Sequence, residues 1–206
     1  KGNKALIDLY AKSTLFDYSY RYFYTDGYGK DYRILNLEAD SDEEIRQRYL
    51  TACLLTFYQQ QKLYEDRQSE FRRFLIEKPL WLFVGGSVNA VRTQNQRKVS
   101  DVLDILLSLS DFVRNRHRSI DRLSRFLRGQ FELLDAKGND LFANAFPYLI
   151  KQRFSGEQVF NDILHTLFNA PSPGALHVEN LKGSDGEIAL RLGENDPFGV
   201  INVGDA

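Results

Sequence analysis

The sequence predicts an α/β fold: a largely parallel sheet flanked by helices, carrying a large helical insertion and a small β-hairpin. Three observations predict it. Lys78-Pro-Leu-Trp-Leu-Phe-Val-Gly-Gly-Ser-Val-Asn89 places a continuous apolar run between a proline and two glycines, the pattern of a strand buried on both faces. Pro197-Phe-Gly-Val-Ile-Asn-Val-Gly-Asp-Ala206 repeats that pattern. Between them lie long stretches with helical periodicity.

The elements follow in order. Ala5-Leu-Ile-Asp-Leu-Tyr10 reads as the end of a helix. Together with an opening Lys1 and the absence of any Met, this leads us to expect a piece of a longer protein. Residues 13–18 and 31–38 read as strands. Tyr18-Ser-Tyr-Arg-Tyr-Phe-Tyr24 is dense in aromatics and runs into the turn signal Asp26-Gly27. Two readings stay open for it: a platform on which bases stack, or a short helix packing its rings on the sheet.

Ser41-Asp-Glu-Glu44 is a helix start, with a capping oxygen and first-turn acids. Its helical pattern extends to about Ile76, with a break expected near Gln59-Gln-Gln61 and a stop at Pro79. Arg92 to Lys98 reads as a polar, basic loop. From Val99 to Leu109 the apolar arc is wide enough for a mostly buried helix. In 112–128, Arg114, Arg118, Arg122, Arg125 and Arg128 fall within about 120° on a helical wheel. Arg116 lands among the apolar positions, so a break is expected near 115–117. Ser155-Gly-Glu-Gln-Val159 opens a helix to about Phe168. Residues 175–181 and 187–192 alternate apolar and polar around Lys182-Gly-Ser-Asp-Gly186, which predicts a hairpin with one exposed face. The domain reading is 1–96 for the first part of the main fold, 97–170 for the insertion, and 171–206 for the hairpin and return strand.

Composition narrows the function. A formal net charge of −1 gives no global polyanion-binding signature. The single Cys53 rules out an internal disulfide framework and fits a reducing cytoplasm. It reads as a small buried residue on a helix. No apolar run reaches the roughly 18 residues that would span a bilayer. His117, His165 and His177 lie in separate elements without metal-type spacing. There is no G-x-x-x-x-G-K-[ST] phosphate loop and no G-x-S-x-G nucleophile pattern. The arginine face is the strongest electrostatic feature. Guanidinium groups aligned on a helix can track a phosphate backbone. The alternative is a solvated face paired with acids such as Asp111 and Asp121.

The stretch 78–89, Asp101-Val-Leu-Asp-Ile-Leu106, Leu134-Asp-Ala-Lys137, Gly186-Glu-Ile-Ala-Leu190 and Phe198-Gly-Val-Ile-Asn-Val-Gly-Asp205 together resemble one family in sequence order. It is the large bacterial DEAD/DEAH-box helicase family of superfamily 2, which includes the restriction subunits of type III restriction systems. The resemblance implies a partial RecA-like parallel sheet, at the start of the second motor domain of an ATP-dependent DNA helicase or translocase in restriction or phage defence. It implies that ATP and Mg²⁺ are bound by the parent protein, with no cofactor in this piece and no catalytic residue here. The nucleic-acid contact carries over to Gly85, Gly86, Ser87 and Asn89. With the arginine face, the expected nucleic-acid-binding set is completed by Arg118, Arg122 and Arg125. DNA is the expected partner, with a methyltransferase or other defence subunit as a further one, no membrane and a cytoplasmic location. The rival readings are a noncatalytic protein-interaction domain and a stand-alone nucleic-acid-binding module.

Overall fold

The structure, a computed structural model, describes residues 3–13, 16, 18–29, 35, 42–84, 92–94, 97–99, 101–135, 137–181, 183 and 186–202. It divides into two compact units, Lys1–Asn36 and Leu37–Ala206.

In the first unit, α1 spans Lys4–Ser13 and α2 spans Tyr20–Thr25. The Asn3 side chain caps α1 by accepting a hydrogen bond from the Ala5 amide at 3.1 Å. Of the strand expected at 13–18, Ser13 belongs to α1 and residues 16 and 18 lie in no strand, while positions 14, 15 and 17 lie outside the described residues. Positions 31–34 and 36–38 of the second expected strand lie outside the described residues. The aromatic stretch is helical, and its rings contact one another: Tyr20 with Tyr24 at 6.0 Å and Phe23 with Tyr28 at 5.6 Å between centroids. Gly29 lets the chain turn back tightly, since a Cβ there would come within 2.6 Å of Tyr24 Cδ2.

The second unit is built on α3, Glu43–Asp66. Asp42 caps it by accepting from the Ile45 amide at 2.7 Å, and Glu43 and Glu44 favour its positive end. Thr51, Ala52, Leu54, Leu55, Tyr58 and Gln61 form its buried stripe. The helix runs past Gln59–Gln61, where a break was expected. Both outer glutamines are used instead as tertiary anchors: Gln59 Nε2 donates to the Ala145 carbonyl and Gln61 Nε2 to the Pro79 carbonyl. The break comes at Arg67, followed by the short α4, Gln68–Phe71, and a 3-10 turn that ends at Leu75 with φ 54°.

Arg92–Gln94 (β1) and Arg97–Val99 (β2) pair antiparallel, in place of the expected loop. Then α5, Asp101–Arg114, and α6, Arg116–Leu127, are separated by Asn115 at ψ 56°. The break falls where Arg116 would otherwise have entered the apolar arc. Arg116 instead lies with its guanidinium 5.9 Å over the Phe160 ring and pairs with Glu157. On α5, Leu103 and Leu107 are exposed, so that helix is less buried than its pattern suggested.

After α7, Pro147–Gln152, comes α8, Gly156–Phe168. Its capping box is complete: the Gln158 amide donates to Ser155 Oγ and the Ser155 amide to Gln158 Oε1. Helices α6 and α8 approach closely, because Gly156 has no side chain. A Cβ there would lie 2.1 Å from Ser124 Oγ and 2.7 Å from the Ile120 carbonyl. A phenylalanine core fills the centre, with Phe131 in ring contact with Phe126, Phe142 and Phe146. Residues 97–170, read as an insertion, thus share one core with Glu43–Asp66 through α3, α6 and α8.

The remaining sheet has three strands, β3 (Leu176–Asn180), β4 (Glu187–Leu192) and β5 (Gly199–Asn202), antiparallel throughout. The β3–β4 hairpin is as expected, with β3 largely exposed and β4 half-buried. The return strand is a correction. It pairs antiparallel with β4 and not in a parallel sheet. The link from Leu192 to Gly199 is too short for the crossover of about a dozen residues that parallel neighbours require. Residues 80–84 lie in no strand, so the RecA-like parallel sheet does not occur among the described residues. The chain is mixed α and β, dominated by helices.

Candidate nucleic-acid interface

The arginine face of α6 is divided by the packing of the helix. Its apolar side, Leu123 and Phe126, is fully buried. Arg122, next to that side on the wheel, is pulled in with it and is only 4% exposed. Its guanidinium donates to both oxygens of Glu44 at 3.0 Å and stands 3.7 Å from Asp111 Oδ2. A guanidinium held this way is a structural cation, not one offered to a phosphate. This corrects the expectation that Arg118, Arg122 and Arg125 share an open face.

Arg125 is half-buried and pairs with Glu132 Oε1. The other oxygen of Glu132 accepts from Arg48 of α3 at 2.7 Å. Arg118 is exposed, as are Arg114 and Arg128, and none of these three enters an ion pair among the described residues. Asp111 is thus a partner of the arginine face, while Asp121, the other acid considered, is not. Arg118 and Arg125 lie about two helical turns apart on one face. Gly85, Gly86, Ser87 and Asn89 lie outside the described residues.

The segment before that loop is described. From Leu80 to Val84 the exposure is uneven: 81% at Leu80, 71% at Leu82 and 86% at Val84, against 38% at Phe83, while Trp81 is half-buried. Trp81 meets Phe57 of α3 at 5.7 Å and Phe83 at 4.4 Å between centroids. Leu50 and Leu54 of α3 and Ile105 and Phe112 of α5 line the cleft that receives them. Contact between residues two apart is the period of extended chain. Among the described residues, no main-chain hydrogen bond engages Leu80–Val84.

Other polar clusters have structural explanations. Tyr58 donates to Asp162 Oδ2 at 2.6 Å, and Lys62 Nζ sits 3.2 Å from the same oxygen. Burial first, and then the Asp162 bond, push the Tyr58 phenol well above its ordinary range. Burial pushes the Cys53 thiol up to about 11, against a hydrogen bond with Tyr49 that works to lower it. The raised value keeps the Cys53 thiol protonated near pH 7. An open groove of about 660 Å³ lies between α4 and α7, lined by Asp66, Arg67, Glu70, Tyr148 and Lys151. Among the described residues no cluster of three or more His, Cys, Asp or Glu can hold a metal ion, and no helix is long and apolar enough to cross a membrane.

Sequence reasoning missed Arg48 and Glu132. They are 84 residues apart, and no local spacing signals their meeting. The one visible hint is that Arg48 follows Glu44 by one helical turn, on the side of α3 that receives α6. No family model matches the chain, and neither a curated protein nor a solved structure matches it.

Proposed function

We propose that this chain is a noncatalytic portion of an ATP-dependent DNA helicase or translocase of a restriction or phage-defence system, contributing to its second, RecA-like motor domain. The observation that carries the reading is Leu80–Val84. It is apolar on both sides, is anchored through Trp81 against Phe57 with Phe83 in ring contact, and has no strand partner for its main chain among the described residues. Such a run is what an interior strand of a parallel sheet looks like before its neighbours are added. The resemblance of residues 78–89 to the helicase family supplies the neighbours' identity: the rest of the motor domain. The loop of Gly85, Gly86, Ser87 and Asn89 then meets the DNA backbone. The residues of this chain form no phosphate loop, so the ATP and Mg²⁺ of the parent are held by residues outside it.

The test is made on the parent protein. A reading frame with a phosphate loop upstream and an arginine-rich motif downstream is expected, together with DNA-stimulated ATP hydrolysis that Leu82→Asp abolishes. A parent with neither motif, or with no DNA-dependent hydrolysis, overturns the reading. The exposed Leu103 and Leu107, one turn apart on α5, favour a second reading, a protein-interaction domain for a methyltransferase or other defence subunit. In that case the double change Leu103→Lys, Leu107→Lys releases a protein partner and leaves DNA affinity unchanged.

A further inference from the structure

We infer that Arg48 and Arg125 form a phosphate-binding fork that Glu132 occupies as an internal stand-in, so that the carboxylate masks the site until a phosphodiester displaces it. The inference rests on the nucleic-acid reading for its ligand, and on geometry for its site. Glu132 places one carboxylate oxygen on each arginine: Oε2 on Arg48 at 2.7 Å and Oε1 on Arg125. Two guanidinium groups, each bonded to one oxygen of a shared anion, are the arrangement that recognises the two non-bridging oxygens of a phosphate.

Three further observations separate this cluster from an ordinary surface ion pair. Glu132 has φ 54°, a left-handed conformation that costs a residue with a Cβ and is retained only where the surroundings impose it. Phe131 and Leu133, 3% and 1% exposed, peg the chain on either side of it. The carboxylate is therefore delivered to the arginines by a fixed and strained backbone, while 59% of its side chain remains open to solvent. Arg48 Nε is buried and has no acceptor, so Glu132 uses only part of the donor capacity of that guanidinium. A phosphate carries more acceptor oxygens than a carboxylate and can meet the rest. Arg118 lies along the same face of α6 as Arg125, exposed and in no ion pair among the described residues, about 10 Å away along the helix. It extends the fork into a line that a backbone can follow. The Arg122–Glu44 pair also has a buried Nε without a partner and an open carboxylate, but its arginine side chain is only 5% exposed and Glu44 meets one guanidinium through both of its oxygens, so it does not bridge two arginines.

The test measures binding of a short oligothymidylate to the 206-residue chain across a salt series. For the wild type, Glu132→Gln, and Glu132→Gly, the slope of log affinity against log salt is compared. Glycine tolerates the left-handed backbone and guards against a fold effect of the glutamine variant. Each phosphate contact adds about 0.7 to the slope for a single strand. Freeing two arginines is expected to tighten binding severalfold at low salt and to steepen the slope by about 1.4. Adding Arg48→Gln and Arg125→Gln to Glu132→Gln should return the slope to the wild-type value or below. Inorganic phosphate should compete with the oligonucleotide in the Glu132 variants at lower concentration than in the wild type. Unchanged slopes in both Glu132 variants overturn the inference. So does a steeper slope that survives loss of both arginines, which would assign the gain to net charge alone. Neither outcome depends on ATP hydrolysis by the parent, so failure of the fork is distinguishable from failure of the motor reading.

Discussion

Tyr58 of α3 donates its hydroxyl to Asp162 of α8 at 2.6 Å, joining residues 104 positions apart. The tyrosine ring is 1% exposed, and Asp162 is shared with Lys62 at 3.2 Å. The bond sits where the helix that opens the second unit crosses one of the last, so it reports directly on whether the two are docked. Tyr58→Phe keeps the ring and removes the hydroxyl, leaving Asp162 with Lys62. The expected loss is about 1–2 kcal/mol, read from urea denaturation with an unchanged m-value.

The ion pair of Arg122 and Glu44 is asymmetric in burial: the arginine side chain is 5% exposed and the glutamate 54%. Removing the glutamate therefore leaves a buried guanidinium with only the more distant Asp111, at 3.7 Å, while removing the arginine leaves a Glu44 carboxylate that water reaches. Glu44→Ala is expected to cost about 2–3 kcal/mol, more than its exposure suggests, and Arg122→Met about 1 kcal/mol or less. Denaturant midpoints compare the two. Equal costs would show that the pair is not the buried contact described.

Gly156 is the closest point between α6 and α8. Its substitution by alanine drives a Cβ to 2.7 Å from the Ile120 carbonyl as well as into Ser124 Oγ. A hydroxyl can rotate away, but a backbone carbonyl cannot. Despite the better helix propensity of alanine, Gly156→Ala should destabilise by about 1–3 kcal/mol, seen as a lower Tm. The paired change Ser124→Ala should recover only part of it.

Alkaline pH should weaken the fold in a definite window. The Cys53 thiol is raised from 9.0 to about 11 on folding, chiefly by burial. A raised folded value means that the native state keeps a proton the unfolded chain gives up. The contribution is complete below pH 9 and is lost as pH rises through 11. It amounts to about 2 kcal/mol. Cys53→Ala should flatten the stability profile between pH 9 and 11. Tyr49, raised to about 12 mainly by burial, should leave a further decline above pH 10 in that variant.

The local elements were readable because their signals are local. Asp42 with Glu43 and Glu44, Ser155 with Gln158, and the alternation on either side of Gly183 each sit within one turn or one hairpin. The break at Asn115 followed from a single charged residue, Arg116, in the wrong arc. What the sequence hid were relations across the chain. An apolar run such as 198–202 signals burial but not the direction of its neighbour. The depth of Arg122 depends on a glutamate 78 residues away, and the helical wheel alone assigns it to the same face as Arg118. Gln59 and Gln61 look like breakers until their distant carbonyl partners are known.

The exposed side of Leu80–Val84 also determines how the chain behaves in a test tube. Five uncharged residues whose main-chain donors and acceptors are unpaired among the described residues, with Leu80, Leu82, Phe83 and Val84 exposed, make a template for cross-β stacking. Solubility should fall with concentration and heating while the helices are still intact. Leu82→Lys acts as a gatekeeper, extending shelf life without touching the contact of Trp81 with Phe57. The same property that makes the segment a good interior strand makes it the weak point of the isolated chain.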